Sequence, residues 1–180
     1  MKSKFLFPLA FLALAAIVSA FTYQADPLPS LPKYNPKMQK SANTFKLIPS
    51  VRCSASSWFG TCSADCGDKP CSCTSGIFRC SCSCGESMSN RQNFNLPSVS
   101  RKQYDNWIKF SNFLLKELDT DNAKAVHVAL VEMANSLINR DENGYHKQAI
   151  LAEELLGKMS KSEKEQINNF FAKEKADIKI

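Results

Sequence analysis

Between residues 101 and 176, apolar side chains recur every three or four positions, the spacing of one helix face. Tyr104, Trp107, Ile108, Leu114, Leu115 and Leu118 form the first stripe, widened by Phe110 and Phe113. Asp119-Thr120-Asp121 stops that helix and caps the next. The second, about 121–139, carries Val126, Val128, Leu130, Val131, Met133, Leu137 and Ile138. It is apolar around much of its circumference, as a central helix must be. Asn143-Gly144 reads as a turn, and Ile150, Leu151, Leu155 and Leu156 define a third helix ending near Gly157. Ser160-Lys161-Ser162-Glu163 has the form of a capping box and opens a fourth helix bearing Ile167, Phe170 and Phe171. Short connections make successive helices antiparallel neighbours, so residues 101–176 read as a three- or four-helix bundle.

Upstream the period changes from helical to strand-like. Cys71-Ser72-Cys73 and Cys80-Ser81-Cys82-Ser83-Cys84 alternate sulfur with hydroxyl, and alternate side chains of a strand face opposite ways. Thr74-Ser75-Gly76-Ile77 between them reads as a turn, with Gly76 supplying a positive φ. The expectation is a β-hairpin with sulfur on one face and hydroxyl on the other. A two-residue turn at Ser75-Gly76 sets Cys71 opposite Cys80 as a candidate bridge. The other sulfurs then reach Cys53, Cys62 and Cys66 in preceding loops, among 105 arithmetically allowed pairings of eight cysteines. No internal repeat is read.

All eight cysteines, Cys53, Cys62, Cys66, Cys71, Cys73, Cys80, Cys82 and Cys84, lie in residues 53–86. The large apolar side chains of that segment are Trp58, Phe59, Ile77 and Phe78, too few to offset the entropy of ordering it. Cross-links are the missing stabilisation. Residues 21–52 carry Pro27, Pro29, Pro32, Pro36 and Pro49 and read as an extended linker, with a docked arm through Phe21, Tyr23 and Tyr34 as the alternative. Residues 87–100 read as a second, shorter linker.

The start of the chain supplies the compartment. Lys2 and Lys4 precede an apolar run, and Val18-Ser19-Ala20 offers the small residues a signal peptidase requires, so residues 1–20 read as a signal peptide. The expected location is secreted or periplasmic, with no stable membrane insertion after cleavage. The formal charge of the chain is +6. Residues 101–180 hold 13 basic and 13 acidic side chains, so the excess lies upstream, largely on Lys33, Lys37, Lys40, Lys46 and Arg52. Lysines spread through a proline-rich tract serve solubility, and nucleic acid is not expected as a partner.

The chemistry of the chain centres on sulfur. The cysteine spacing contains no Cys-x-x-Cys, which disfavours a zinc knuckle and a thiol oxidoreductase. Cys-x-Cys pairs suit thiolate clusters of soft metals such as Cu(I) or Zn(II). In an exported protein, an even number of closely packed cysteines favours four disulfides instead, with no cofactor and no metal. Asn139 to Gly144 copies the first half of a calcium loop, but Ile150 stands where a bidentate Glu is needed, so caps and turns explain it better. His127 and His146 are the only histidines, His127 amid apolar neighbours, and no nucleophile, zincin or phosphate-loop motif occurs. Glu153-Glu154 reads as a solvated helix face.

Trp58 and Phe59 read in two ways: as the miniature core of the cysteine segment, or as an exposed anchor for a partner. The resulting expectation is a non-enzymatic exported protein, α with a small disulfide-rich β-hairpin module, binding an unidentified protein or surface partner. A soft-metal thiolate protein and a secreted antimicrobial or toxin are the competing classes.

Overall fold

A computed structural model of the chain describes residues 27–39, 51–85 and 96–180. The signal-peptide reading falls on residues outside that range. Two small antiparallel hairpins are followed by four helices. The first hairpin pairs β1 (Arg52–Ser56) with β2 (Thr61–Asp65), and the second pairs β3 (Cys71–Ser75) with β4 (Cys80–Cys84). The helices are α1 (Arg101–Phe113), α2 (Asp121–Asn139), α3 (Glu142–Lys158) and α4 (Lys161–Lys173).

Local side-chain chemistry sets the helix ends. Ser100 and Gln103 form a capping box on α1, and Ser160 and Glu163 form another on α4. Thr120 caps α2, and Asp141 caps α3 by accepting from the Gly144 amide. Asn143-Gly144 therefore lies in the first turn of α3, not in a turn between helices. Glycine is needed there for room: a Cβ would run into the Asp141 carboxylate and sit 2.9 Å from Ser136 Oγ. The end of α1 widens into a π-helical turn, Leu114–Leu118, which closes on Asp119 in the left-handed region at φ 47°.

The core holds Tyr104, Trp107, Phe110, Leu130, Met133, Leu137, Leu156, Ile167 and Phe171, all fully buried. Two expected stripe residues fall outside it: Ile108 is 39% exposed and Leu151 42% exposed. Small side chains take the inner positions of α3 instead, with Ala149 and Ala152 fully buried, and this lets α2 and α3 pack closely.

The second hairpin differs from its expected register. Cys71 faces Cys84, Cys73 faces Cys82, and Ser75 faces Cys80. Four residues, Gly76–Arg79, make the turn, closed by the Gly76 amide donating to Arg79 O at 2.6 Å. Gly76 has no positive φ; among the described glycines, Gly67 and Gly85 do. The wider turn is what carries Ile77 and Phe78 outward into the helices. Cys53 and Cys62, expected in loops, lie on the strands of the first hairpin.

The two hairpins are copies. Cys53 to Cys66 reads Cys-Ser-x-Ser-Ser-x4-Cys-Ser-x2-Cys, and Cys71 to Cys84 repeats it with Thr at one position. Three disulfides, Cys53–Cys71, Cys62–Cys80 and Cys66–Cys84, each span 18 residues, which is the repeat period. Each of these six cysteines is thus joined to its own counterpart. The ladders differ in one respect. The first closes on the outward pair Ser56–Thr61, the second on the inward pair Ser75–Cys80. Cys53 faces Ala64, the counterpart of Cys82, whereas Cys71 faces Cys84, so the register shifts by an even step and counterpart positions keep the same face, which lets the sulfur faces meet. The fourth disulfide, Cys73–Cys82, staples the second hairpin to itself, where the first copy has Ala55 and Ala64.

Residues 27–39 lie against the helices without forming helix or strand until a short 3-10 turn, Pro36–Met38. Met38 is fully buried, and Leu31 and Tyr34 pack on the same core. Of the second segment read as a linker, Leu96, Pro97 and Val99 are buried, and Ser98 bridges to Thr61 on β2.

Candidate functional site

The stapled double hairpin is built around sulfur and anchored by its tips. Trp58 and Phe59 occupy the tip of the first hairpin, and Ile77 and Phe78 that of the second. Phe59 is 1% exposed and Phe78 3% exposed, with ring centroids 4.7 Å apart. Phe59 meets Trp107, Phe110 and Phe171 edge-on, while Trp58 packs edge-on against Phe170 and Phe171. These two residues therefore belong to a core shared with the helices. They form neither a separate miniature core nor an exposed anchor, because the helical aromatics offer the apolar surface that the module lacks.

Backbone recognition fixes the tips further. Gln103 Nε2 donates to Ser57 O at 3.1 Å, Asn106 Nδ2 to Trp58 O at 2.9 Å, and Trp107 Nε1 to Phe59 O at 2.7 Å. Positions 103, 106 and 107 share one face of α1, so one helix face binds three consecutive carbonyls. On the second tip, buried Tyr145 donates to Phe78 O at 2.8 Å, and Arg79 pairs with Glu153. Burial pushes the Tyr145 phenol far above its ordinary range, with Glu153 adding to the shift, so it stays a donor. Glu153 is accordingly an interface residue. The helical spacing of Gln103, Asn106 and Trp107 was visible in the sequence, but nothing local revealed that their targets were main-chain carbonyls.

With its tips buried, the module presents its strands. Their outward faces carry Ser54 opposite Ser63, Ser56 opposite Thr61, Ser72 opposite Ser83 and Thr74 opposite Ser81. Ser56 and Thr61 share a hydrogen bond of 2.8 Å, and Thr74 and Ser81 one of 3.2 Å. Arg52 and Asp65 pair at 3.3 Å at the far end of the first ladder. Hydroxyls both donate and accept, so each face is a rigid, nearly uncharged array of hydrogen-bonding groups.

All eight cysteines are disulfide-bonded. Their sulfurs are crowded: those of Cys53, Cys73 and Cys82 lie within 4.8 Å of one another, as do those of Cys53, Cys66 and Cys71. After reduction, either trio would offer a thiolate set suited to a soft cation.

His127 is buried, and both ring nitrogens are engaged. Its Nε2 lies 2.6 Å from Pro29 O, which can only accept, so Nε2 donates there, and Nδ1 lies 2.8 Å from Ser111 Oγ. No described helix is long and apolar enough to cross a membrane. No family model, curated protein or solved structure matches the chain.

Proposed function

We propose that the chain is an exported, non-enzymatic interaction protein. Its stapled double hairpin is the recognition module and its helices the scaffold. The observation that carries the reading is the division of the module's surfaces: tips held in the helical core, sulfur inside, hydroxyl arrays outside. Four disulfides among 35 described residues suit an oxidising compartment. The partner is a protein or surface that meets the hydroxyl faces through hydrogen bonds. Preorganised strands lose little entropy on binding, which favours affinity even over a small area. Buried between α1 and α2 and covered by Pro29, the Ser111–His127 pair serves structure rather than catalysis.

The test compares cross-linked partners of the secreted chain with those of two variants. Ser54→Arg with Ser63→Arg blocks an outward face, whereas Glu132→Lys alters exposed α2. Loss of the partner in the first variant alone is expected; its retention there would sink the reading.

A soft-metal thiolate protein is the second reading, favoured by the sulfur crowding around Cys53. Intact mass with metal analysis separates the two. Four disulfides make the chain about 8 Da lighter than its reduced form, whereas eight free thiols with bound metal would favour the second reading. The same spectrum reports whether residues 1–20 have been removed.

A further inference from the structure

The docked arm occupies a groove with the features of a peptide-binding site. Pro29 and Pro32 restrict the backbone of a segment that forms neither helix nor strand, and in a polyproline-type chain, which repeats every three residues, carbonyls three apart point the same way. The structure places one donor against each. His127 Nε2 from α2 donates to Pro29 O at 2.6 Å, and the Tyr104 hydroxyl from α1 donates to Pro32 O. Both donors are at least 98% buried and oriented from behind, His127 by Ser111 and Tyr104 by packing on Trp107. Burial raises the Tyr104 phenol to about 12, which keeps it a donor. Between the two carbonyls Leu31 packs on the core, and Tyr34 lies 5.7 Å from the Tyr104 ring with the Arg101 guanidinium over its face. Space is left beside the arm on its α1 side. A cavity of about 420 Å³ remains among Leu31, Pro32, Lys33, Tyr34, Arg101, Tyr104 and Ile108. Exposed Ile108, misplaced in the helical stripe, lines it.

We infer that the groove between α1 and α2 is a recognition site for extended Pro-x-x-Pro peptides, kept occupied in cis by the chain's own Pro29–Tyr34. The arm is a tethered ligand, so its effective concentration is high and a free peptide of the same class competes only when the arm is weakened. This site is separate from the hydroxyl faces, and the inference does not depend on them.

The test uses a fluorescently labelled peptide of residues 27–39 and the full chain. In one variant Leu31→Asp and Tyr34→Asp release the arm and leave both donors intact. Saturable binding at least tenfold tighter to that variant than to the wild type is expected. A peptide with Pro29→Gly and Pro32→Gly should bind at least tenfold more weakly. Absence of saturable binding to a variant that keeps wild-type helicity and cooperative unfolding would overturn the inference. Equal binding of the glycine peptide would do the same. Loss of cooperative unfolding in the variant would make the arm an integral part of the core, and would overturn it too.

Discussion

The double hairpin and the four helices keep water out with different materials. The hairpins have sulfur inside and hydroxyls outside, and contribute large apolar groups only at their tips. The helices hold a continuous aromatic and aliphatic interior, with Phe110, Phe113, Phe170 and Phe171 ring against ring. Covalent links stabilise the first mainly by restricting its unfolded ensemble; packing stabilises the second through surface removed from water. The two meet where Trp58, Phe59, Ile77 and Phe78 enter the aromatic core. A module too small to bury its own aromatics borrows an interior from its neighbour.

Four perturbations sharpen that contrast. The largest is reduction, because each of the long disulfides restricts the unfolded chain by about 3 kcal/mol. Reductant with chelator should abolish amide-exchange protection in β1 to β4, while the far-UV helical signal persists. A module that stays protected would show that sulfur is not what holds it.

Next comes the joint. Trp107→Ala should cost about 3–5 kcal/mol in urea unfolding, since it empties a fully buried site and strips Phe59 O of its donor. A cost confined to the helices, with hairpin exchange unchanged, would separate the two regions. The third perturbation removes Cys73–Cys82, which closes the shortest loop at a separation of 9. Replacing both by Ala, as the first hairpin already has, should cost roughly 2.5 kcal/mol and leave the three inter-hairpin links intact by peptide mapping.

The smallest acts on the helices alone. Hydrogen bonds from Thr120 and Ser160 hold the Glu163 carboxyl below its ordinary value of 4.5. Its contribution is therefore present above that value and lost as pH falls through the lower folded pKa. Thermal stability should drop slightly between about pH 5 and pH 3, and Thr120→Val should flatten that dependence.

Much of the helical half is legible in residue order. The second helix, the Thr120 cap and the Ser160 capping box depend on neighbours three or four positions away, which sequence displays directly. Ile108 and Leu151 show where this stops: periodicity marks a face as apolar without saying what covers it. In the cysteine segment, alternation of sulfur and hydroxyl revealed the strand faces. The register escaped because the turn at Gly76–Arg79 answers to Phe78's place in a distant core rather than to local turn chemistry. The repeat was in view at a spacing of 18, masked by a fourth cysteine pair present in one copy only.

From its order of residues alone, this chain settled that its middle is held by sulfur and its end by helices, since cysteine density and helical period act over short distances. Tertiary structure alone decided which sulfurs join, where Trp58 and Phe59 go, and that Tyr104 and His127 bind the arm. Those outcomes turn on groups 9 to 98 residues apart meeting in space, and no local pattern encodes which distant surface offers the lower free energy.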